Sequence, residues 1–169
     1  MTKKSKKSKR PASNGELFIA NSLAFGDRLK FVENARSQLI NNPDSFPDIE
    51  LVPIATDKPV NTTILTHRAI LSAKSPVLKQ FFKDVLKSPP KNTNPKITNL
   101  PLPLRVPISF DHETVMAFVE FSYANAARLK LKNLVNLISF SVCYGCTELM
   151  ELCKSYCRYK TQNDDDKIV

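Results

Sequence analysis

Apolar residues in this chain change their spacing several times, and each change marks an element. Leu29, Val32, Ala35, Leu39 and Ile40 fall on one face of a helix that starts near Asp27 and is stopped by Asn41, Asn42 and Pro43. Ile49, Leu51 and Pro53 then alternate with Glu50, Val52 and Ile54, which predicts a strand; its internal proline points to an edge or a strand end. Thr62 to Thr66 reads as the hairpin partner, and Ala55 to Asn61, with Asp57, Lys58 and Pro59, as the turn between them. From Arg68 the spacing becomes helical through Ala69, Ile70 and Ala73. Ser75 followed by Pro76 then starts a second helix, because a Ser cap and a first-turn proline both suit a helix N-terminus. Its buried stripe is predicted to be Leu78, Phe81, Phe82, Val85 and Leu86.

Residues 87–107 hold six of the twelve prolines, together with Asn92, Asn94 and Asn99. Proline removes a backbone donor and blocks helix propagation, so this stretch predicts a long exposed loop rather than a helix or a central strand. Val106, Ile108 and Phe110 alternate into a third strand, and Asp111 caps a helix with Val115, Phe118, Val119 and Tyr123 on its inner side. Ala124 to Lys130 leaves room for a short strand. Leu134, Leu137, Ile138 and Val142 then mark a helix that stops at Gly145. Thr147 caps the last helix, which turns Leu149, Leu152, Cys153 and Tyr156 inward and fades into the polar residues Asn163 to Lys167. This gives a basic, disordered tail at 1–15, one domain at 16–160 and a polar tail at 161–169.

Charge changes the picture at one end only. The formal net charge is +9, yet Lys3, Lys4, Lys6, Lys7, Lys9 and Arg10 crowd into the first ten positions with no acid among them. The other 159 residues carry 19 basic and 16 acidic side chains, so the basic character belongs mainly to the tail. Such a cluster fits a nuclear-localisation signal or a weak, nonspecific nucleic-acid contact, and equally a solubilising extension. No stretch approaches the roughly 18 apolar residues of a membrane span, and the N-terminus lacks the apolar run of a secretory signal. An intracellular protein, nuclear rather than cytoplasmic, with reduced thiols is the expectation.

The order of helix, hairpin, helix pair, strand, helix and terminal helix pair carries a resemblance. PDIELV followed by THRAILSAKSPVLKQFF is similar to the first half of a BTB/POZ domain. ISFDHETVMAFVEFSYANAARLKLKNLVNLISFSVCYGCTELMELCKSYC is similar to the second half, and the two together cover roughly residues 27–158. The resemblance implies an α+β fold, a small mixed sheet of about three to five strands flanked by five to six helices. It implies a protein-interaction module without catalytic activity that recruits protein partners, in the manner of a transcription or chromatin-associated scaffold. Many relatives form a symmetric dimer through the first helix and first strand; by resemblance the contacts here are Leu29, Val32, Leu39, Ile49 and Leu51. Asp48 and Arg68 match an acid and a base of a charged groove. Other relatives are substrate adaptors that hold a cullin of a ubiquitin ligase, and Phe110, His112 and Tyr123 fall on the matching surface. The adaptor class often carries a Glu in the loop before the third strand, and none occurs between Lys83 and Ser109.

Other chemistry finds little support in the residues. Cys143 and Cys146 form a CxxC pair, with Cys153 and Cys157 beyond, but a helix between Cys146 and Cys153 separates them by about 10 Å at 1.5 Å per residue. Four sulfurs must approach within about 2.3 Å of one zinc, so buried core cysteines are the expectation, with neither metal nor cofactor. His67 and His112 lack the neighbours of a catalytic base, and His67 at a strand end reads as a structural donor. Three glycines, Gly15, Gly26 and Gly145, are too few for a phosphate-cradling loop.

Overall fold

The computed structural model describes the backbone at 16–18, 25–54, 63–87 and 103–165, and side chains within 30–54, 63–87 and 103–159. The basic cluster of Lys3, Lys4, Lys6, Lys7, Lys9 and Arg10, the 55–61 link, most of the proline-rich stretch and the side chain of Leu29 lie outside the described residues. In chain order the elements are β1 (Glu16–Phe18), α1 (Phe25–Gln38), β2 (Ile49–Pro53), β3 (Ile64–Thr66), α2 (Arg68–Lys74), α3 (Pro76–Lys87) and β4 (Leu104–Ile108). They continue with α4 (His112–Ala124), β5 (Arg128–Lys130), α5 (Leu134–Cys143) and α6 (Thr147–Asp165). The fold is α+β, with one sheet of order β3-β2-β4 and a separate antiparallel ribbon of β1 and β5. The β1 strand has no counterpart in the hydrophobic pattern, and the backbone of α6 stays helical to Asp165, into the residues that read as a polar tail.

Proline placement explains the sheet. β2 is the middle strand, antiparallel to β3 and parallel to β4, so the edge position that its proline suggested does not hold. Pro53 is instead the last residue of the strand, the other position that sheet hydrogen bonding permits. The edge strand is β4, which begins at Leu104, inside the stretch that read as loop, and contains Pro107. Leu104 N donates to Asp48 O at 2.9 Å and Ile108 O accepts from Ile54 N at 2.9 Å. Alternate residues of β4 therefore pair with β2, which turns the backbone of Arg105 and Pro107 to the open side. A proline there costs the ladder nothing and leaves the free edge without one donor.

The other edge is closed by a single residue. Asn41, at φ 57° just after α1, donates its backbone N–H to Leu65 O at 3.0 Å and accepts from Leu65 N through Oδ1 at 2.7 Å. Both outward backbone groups of the middle residue of β3 are thus satisfied as a neighbouring strand would satisfy them, and the end of α1 is fixed against the sheet. Across β2 and β4, Glu50 faces Arg105 in register and pairs with it at 3.0 Å.

The helix starts follow the capping residues. Ser75 Oγ accepts from Leu78 N at 3.1 Å and donates to Tyr144 O at 2.7 Å, so the cap of α3 also binds the α5–α6 turn. That turn contains Gly145 at φ 66°, where a Cβ would lie 3.1 Å from the Pro76 ring; only glycine meets both demands. α3 buries the row of Leu78 and Phe82, while Phe81 and Leu86, expected in the stripe, flank that row and are exposed. On α5 the same correction applies to Val142, which points away from Leu134, Leu137 and Phe140. The core closes around aromatic rings from both halves of the second segment: Phe140 lies 4.7 Å from Phe118, 4.3 Å from Tyr144 and 5.1 Å from Phe110, centroid to centroid.

Asp111 caps α4 by accepting from Thr114 N at 2.9 Å and Thr114 Oγ1 at 2.6 Å, and Asn136 Nδ2 reaches it from α5 at 2.9 Å. Partial burial raises its carboxyl, but the hydrogen bonds from Thr114 and Asn136 outweigh burial and hold it below the ordinary 3.8. The unfolded chain therefore takes up this proton first, so the stability from Asp111 is complete above about pH 5 and is lost as pH falls below about 4. Urea midpoints at both ends of that window are expected to fall less for Asp111→Asn, which keeps the cap acceptor without the charge, than for the unaltered chain. Equal falls would assign the acid sensitivity to other groups.

Candidate interaction surface

The end of α1 and the start of β2 are joined by a turn held by a run of short-range hydrogen bonds. Asn42 Oδ1 accepts from Asp44 N at 3.0 Å, and Ser45 Oγ contacts Leu39 O at 2.9 Å and Asn42 O at 2.7 Å. Phe46 N donates to Pro43 O at 3.1 Å. The outcome is a phenylalanine at φ 56°, ψ 55°, in the left-handed region that a bulky side chain rarely occupies, with 83% of its surface exposed. The domain gains no packing from that ring.

Two residues on, Asp48 couples three elements. Its backbone carbonyl binds β4, and its Oδ1 accepts from Arg68 N at 2.7 Å, the first helical residue of α2. His67, the N-cap of α2, makes no side-chain cap bond, so Asp48 supplies that cap from elsewhere in the sequence. Arg68 Nη2 lies 3.3 Å from Asp48 Oδ2, and both side chains are partly exposed. The acid and base that the resemblance assigned to a charged groove thus form one ion pair at the foot of α2.

Beside them, His67 Nε2 lies 2.7 Å from Ser45 O and Nδ1 lies 2.6 Å from the Tyr123 hydroxyl. A carbonyl only accepts, so Nε2 carries the proton and Nδ1 accepts from Tyr123 in the neutral ring. The same hydroxyl lies 3.0 Å from Thr66 Oγ1 and accepts from His67 N at 3.2 Å. Burial raises the Tyr123 phenol, against the hydrogen bonds with Thr66 and His67 N, which lower it, and with a smaller push upward from the charge of Asp48. His67 is a strut between the 43–46 turn and α4.

The residues offered for a second copy are divided by the fold. Val32, Ile49 and Leu51 are buried among the chain's own core residues, because α1 lies on α4 and β2 is the middle strand. Among the described residues of α1 and the turn after it, the exposed large apolar side chains are Phe31 at 57%, Leu39 at 39% and Phe46. The residues matched to a cullin surface do not form one patch. Phe110 packs on Phe140 and Tyr144, Tyr123 turns to His67, and His112 lines a cleft of about 420 Å³ between α1, α4 and β5.

That cleft holds a pair that reading the sequence missed. Glu120 is 1% exposed, ion-paired with Arg36 of α1, and accepts from Arg128 N of β5 at 3.3 Å. The signal was a lone acid in the otherwise apolar run from Val115 to Phe121. Burial pushes the Cys146 thiol up to about 11 and Cys153 up to about 12, so neither is a thiolate near neutral pH. Among the described residues, no group of three or more His, Cys, Asp or Glu could hold a metal, and no helix is long and apolar enough to cross a membrane.

Residues 39–161 match the family model described as BTB/POZ domain. The chain belongs to the BTB/POZ family. It is similar to BTB/POZ domain-containing protein 19 of Bos taurus, at 28% identity over 131 residues that cover 78% of this chain and 39% of that protein. The chain thus spans about two fifths of the length of that relative. Its fold is similar to the BTB domain of zebrafish PATZ1, with a TM-score of 0.53 and 12% identity, over 83% of this chain and 99% of the other. A BTB/POZ domain is a protein-interaction module.

Proposed function

We propose that this BTB/POZ chain acts without catalysis, self-associates as a two-fold dimer through the Phe31, Leu39 and Phe46 side of α1, and recruits other proteins, in the nucleus. The observation that carries the reading is Phe46. A left-handed bulky residue costs of order 1–3 kcal/mol, and here the cost brings no internal burial because the ring is in solvent. Glycine would occupy the position without strain, so the gain from phenylalanine lies outside the monomer. Burying the ring against a second copy recovers about 1.5–3 kcal/mol for each copy, and the two-fold relation uses it twice. Asp48 and Arg68, paired and half-open beside it, suit the rim of such a contact, where charges set register more than affinity.

Light scattering of the intact chain at tens of micromolar is expected to return twice the 19.0 kDa chain mass. A single-chain mass at that concentration removes the self-association. Lys3, Lys4, Lys6, Lys7, Lys9 and Arg10 support nuclear import, so deletion of 1–10 is expected to end nuclear enrichment. A cullin-holding adaptor has less support, since Phe110 and Tyr123 turn inward and leave few anchors on that surface. Direct capture of a cullin N-terminal region by the purified chain would reverse that order.

A further inference from the structure

Beyond the first ten residues, positive charge is gathered in one place. Residues 75–104 hold five lysines against the single acid Asp84, while the rest of the chain after residue 10 carries 14 basic and 15 acidic side chains. Three of the five, Lys79, Lys83 and Lys87, recur every fourth residue on α3 and are exposed. They form one row along the helix, with about 6 Å of rise from each lysine to the next. Among the described residues none of the three ammonium groups has an ion-pair or hydrogen-bond partner. Gln80 Nε2 donates to Asp84 Oδ1 at 2.9 Å and to Oδ2 at 3.0 Å, so the one acid of α3 is bonded to an amide rather than to a lysine. Like charges four residues apart weaken a helix, and no described acid offsets them here.

From this row we infer that α3 is a contact site for the sugar-phosphate backbone of a nucleic acid, bound without reading its bases. Charge selects an anion, and length selects which one. The row spans about 12 Å, and one strand of a duplex offers a phosphate for about every 3.4 Å of axis, so each lysine reaches a separate phosphate. The six basic residues among the first ten form a second cationic run. A long polyanion engages both runs at once and gains from their linkage, whereas an acidic peptide short enough for one run gains nothing from the other. The row contains no arginine or asparagine for a bidentate contact with a base edge and no ring for stacking, so binding is independent of sequence and falls steeply with salt.

Anisotropy of a labelled, mixed-sequence DNA duplex titrated with the full chain between about 0.05 and about 0.2 M salt tests this. Each phosphate contact contributes about 0.9 to the slope of log affinity against log salt. The triple variant Lys79→Gln, Lys83→Gln, Lys87→Gln is therefore expected to lower the slope by about 2.7, or by twice that where a two-chain assembly lays both rows on the duplex. Replacing the same three lysines by arginine is expected to keep the slope, and circular dichroism is expected to be unchanged in both variants because all three sites are exposed. The pair Lys132→Gln, Lys154→Gln, on exposed lysines of other elements, is the control and is expected to leave the slope where it was. An unchanged slope in the triple glutamine variant, or no binding of the duplex at the lower salt, overturns the inference. A fall per lysine as large in the control pair as in the row also overturns it, since net charge alone would then set the binding. So does poly-glutamate bound as tightly as the duplex through the same three lysines, which would make α3 a surface for acidic polypeptides.

Discussion

Phe140→Ala is expected to lower the unfolding free energy by about 3–5 kcal/mol, the range for removing a fully buried aromatic side chain. Phe140 has no exposed surface and lies among Phe110, Phe118 and Tyr144, rings from the approach to α4, from α4 itself and from the α5–α6 turn. Truncation leaves a cavity that rigid neighbours on three elements cannot close. A domain of this size has about 5–15 kcal/mol in total, so the variant is expected to unfold at a much lower urea midpoint or to express poorly. Val135→Ala on the same helix, in solvent, is the control and is expected to shift stability by no more than about 0.5 kcal/mol. Alanine favours helix more than either residue, so a similar loss for both would show that burial of the Phe140 ring is not what holds α5 in place.

The second large effect is asymmetric. Arg36→Ala is expected to cost about 3 kcal/mol, the lower end for breaking a buried pair, because Arg36 itself is partly open while Glu120 is not. The substitution leaves a carboxylate in the floor of the α1–α4–β5 cleft, with the Arg128 backbone N–H at 3.3 Å as its hydrogen-bond donor among the described residues. Glu120→Gln keeps an acceptor for both neighbours and frees Arg36 toward water, at about 1 kcal/mol. The double variant is then expected to be more stable than Arg36→Ala alone, since it removes the stranded charge. Urea titration of the three variants and the unaltered chain closes the cycle, and additive losses would show that the two side chains act independently. Because the pair holds α1 against α4, Arg36→Ala is expected to weaken self-association as well.

Both effects concern contacts that the sequence shows unevenly. Helix starts were legible because their signals are local: Ser75 with Pro76, and Asp111 three residues before Thr114, each satisfy a helix end with their own side chain. The inner faces of α4 and α6 were legible because Val115, Phe118 and Val119, and Leu149, Leu152, Cys153 and Tyr156, recur at helical spacing and are all buried, with Tyr123 of α4 only partly so. β1 was not, because a three-residue strand has no period to detect, and its partner β5 is more than a hundred residues away. The middle position of β2 was hidden by Pro53, since a proline at a strand end and one at a sheet edge look alike until hydrogen bonds are assigned. Phe81, Leu86 and Val142 satisfied the periodicity and still faced solvent, because spacing gives the angle of a side chain but not the width of the surface that covers it.

The interaction surface divided in the same way. Asp48 and Arg68 were paired by resemblance, and the geometry adds that Asp48 caps α2 in place of His67. Of the contacts offered by resemblance, Leu39 is exposed, while Val32, Ile49 and Leu51 are buried in the chain's own core. Phe46 left no mark on the pattern at all. Its distinguishing property is a backbone angle set in a turn where Phe46 N donates to Pro43 O and where Asp44 N and Ser45 Oγ donate to Asn42, which residue type alone does not reveal.

Phe46→Gly tests the central claim most directly, because glycine removes the ring and the backbone strain together. At tens of micromolar, light scattering is expected to drop from two chains to one, with association weakened more than a hundredfold as two rings leave the contact. The melting temperature measured on dilute, single-chain protein is expected to stay level or rise. A variant that keeps the two-chain mass, or that falls to one chain only because it melts earlier, would contradict the account.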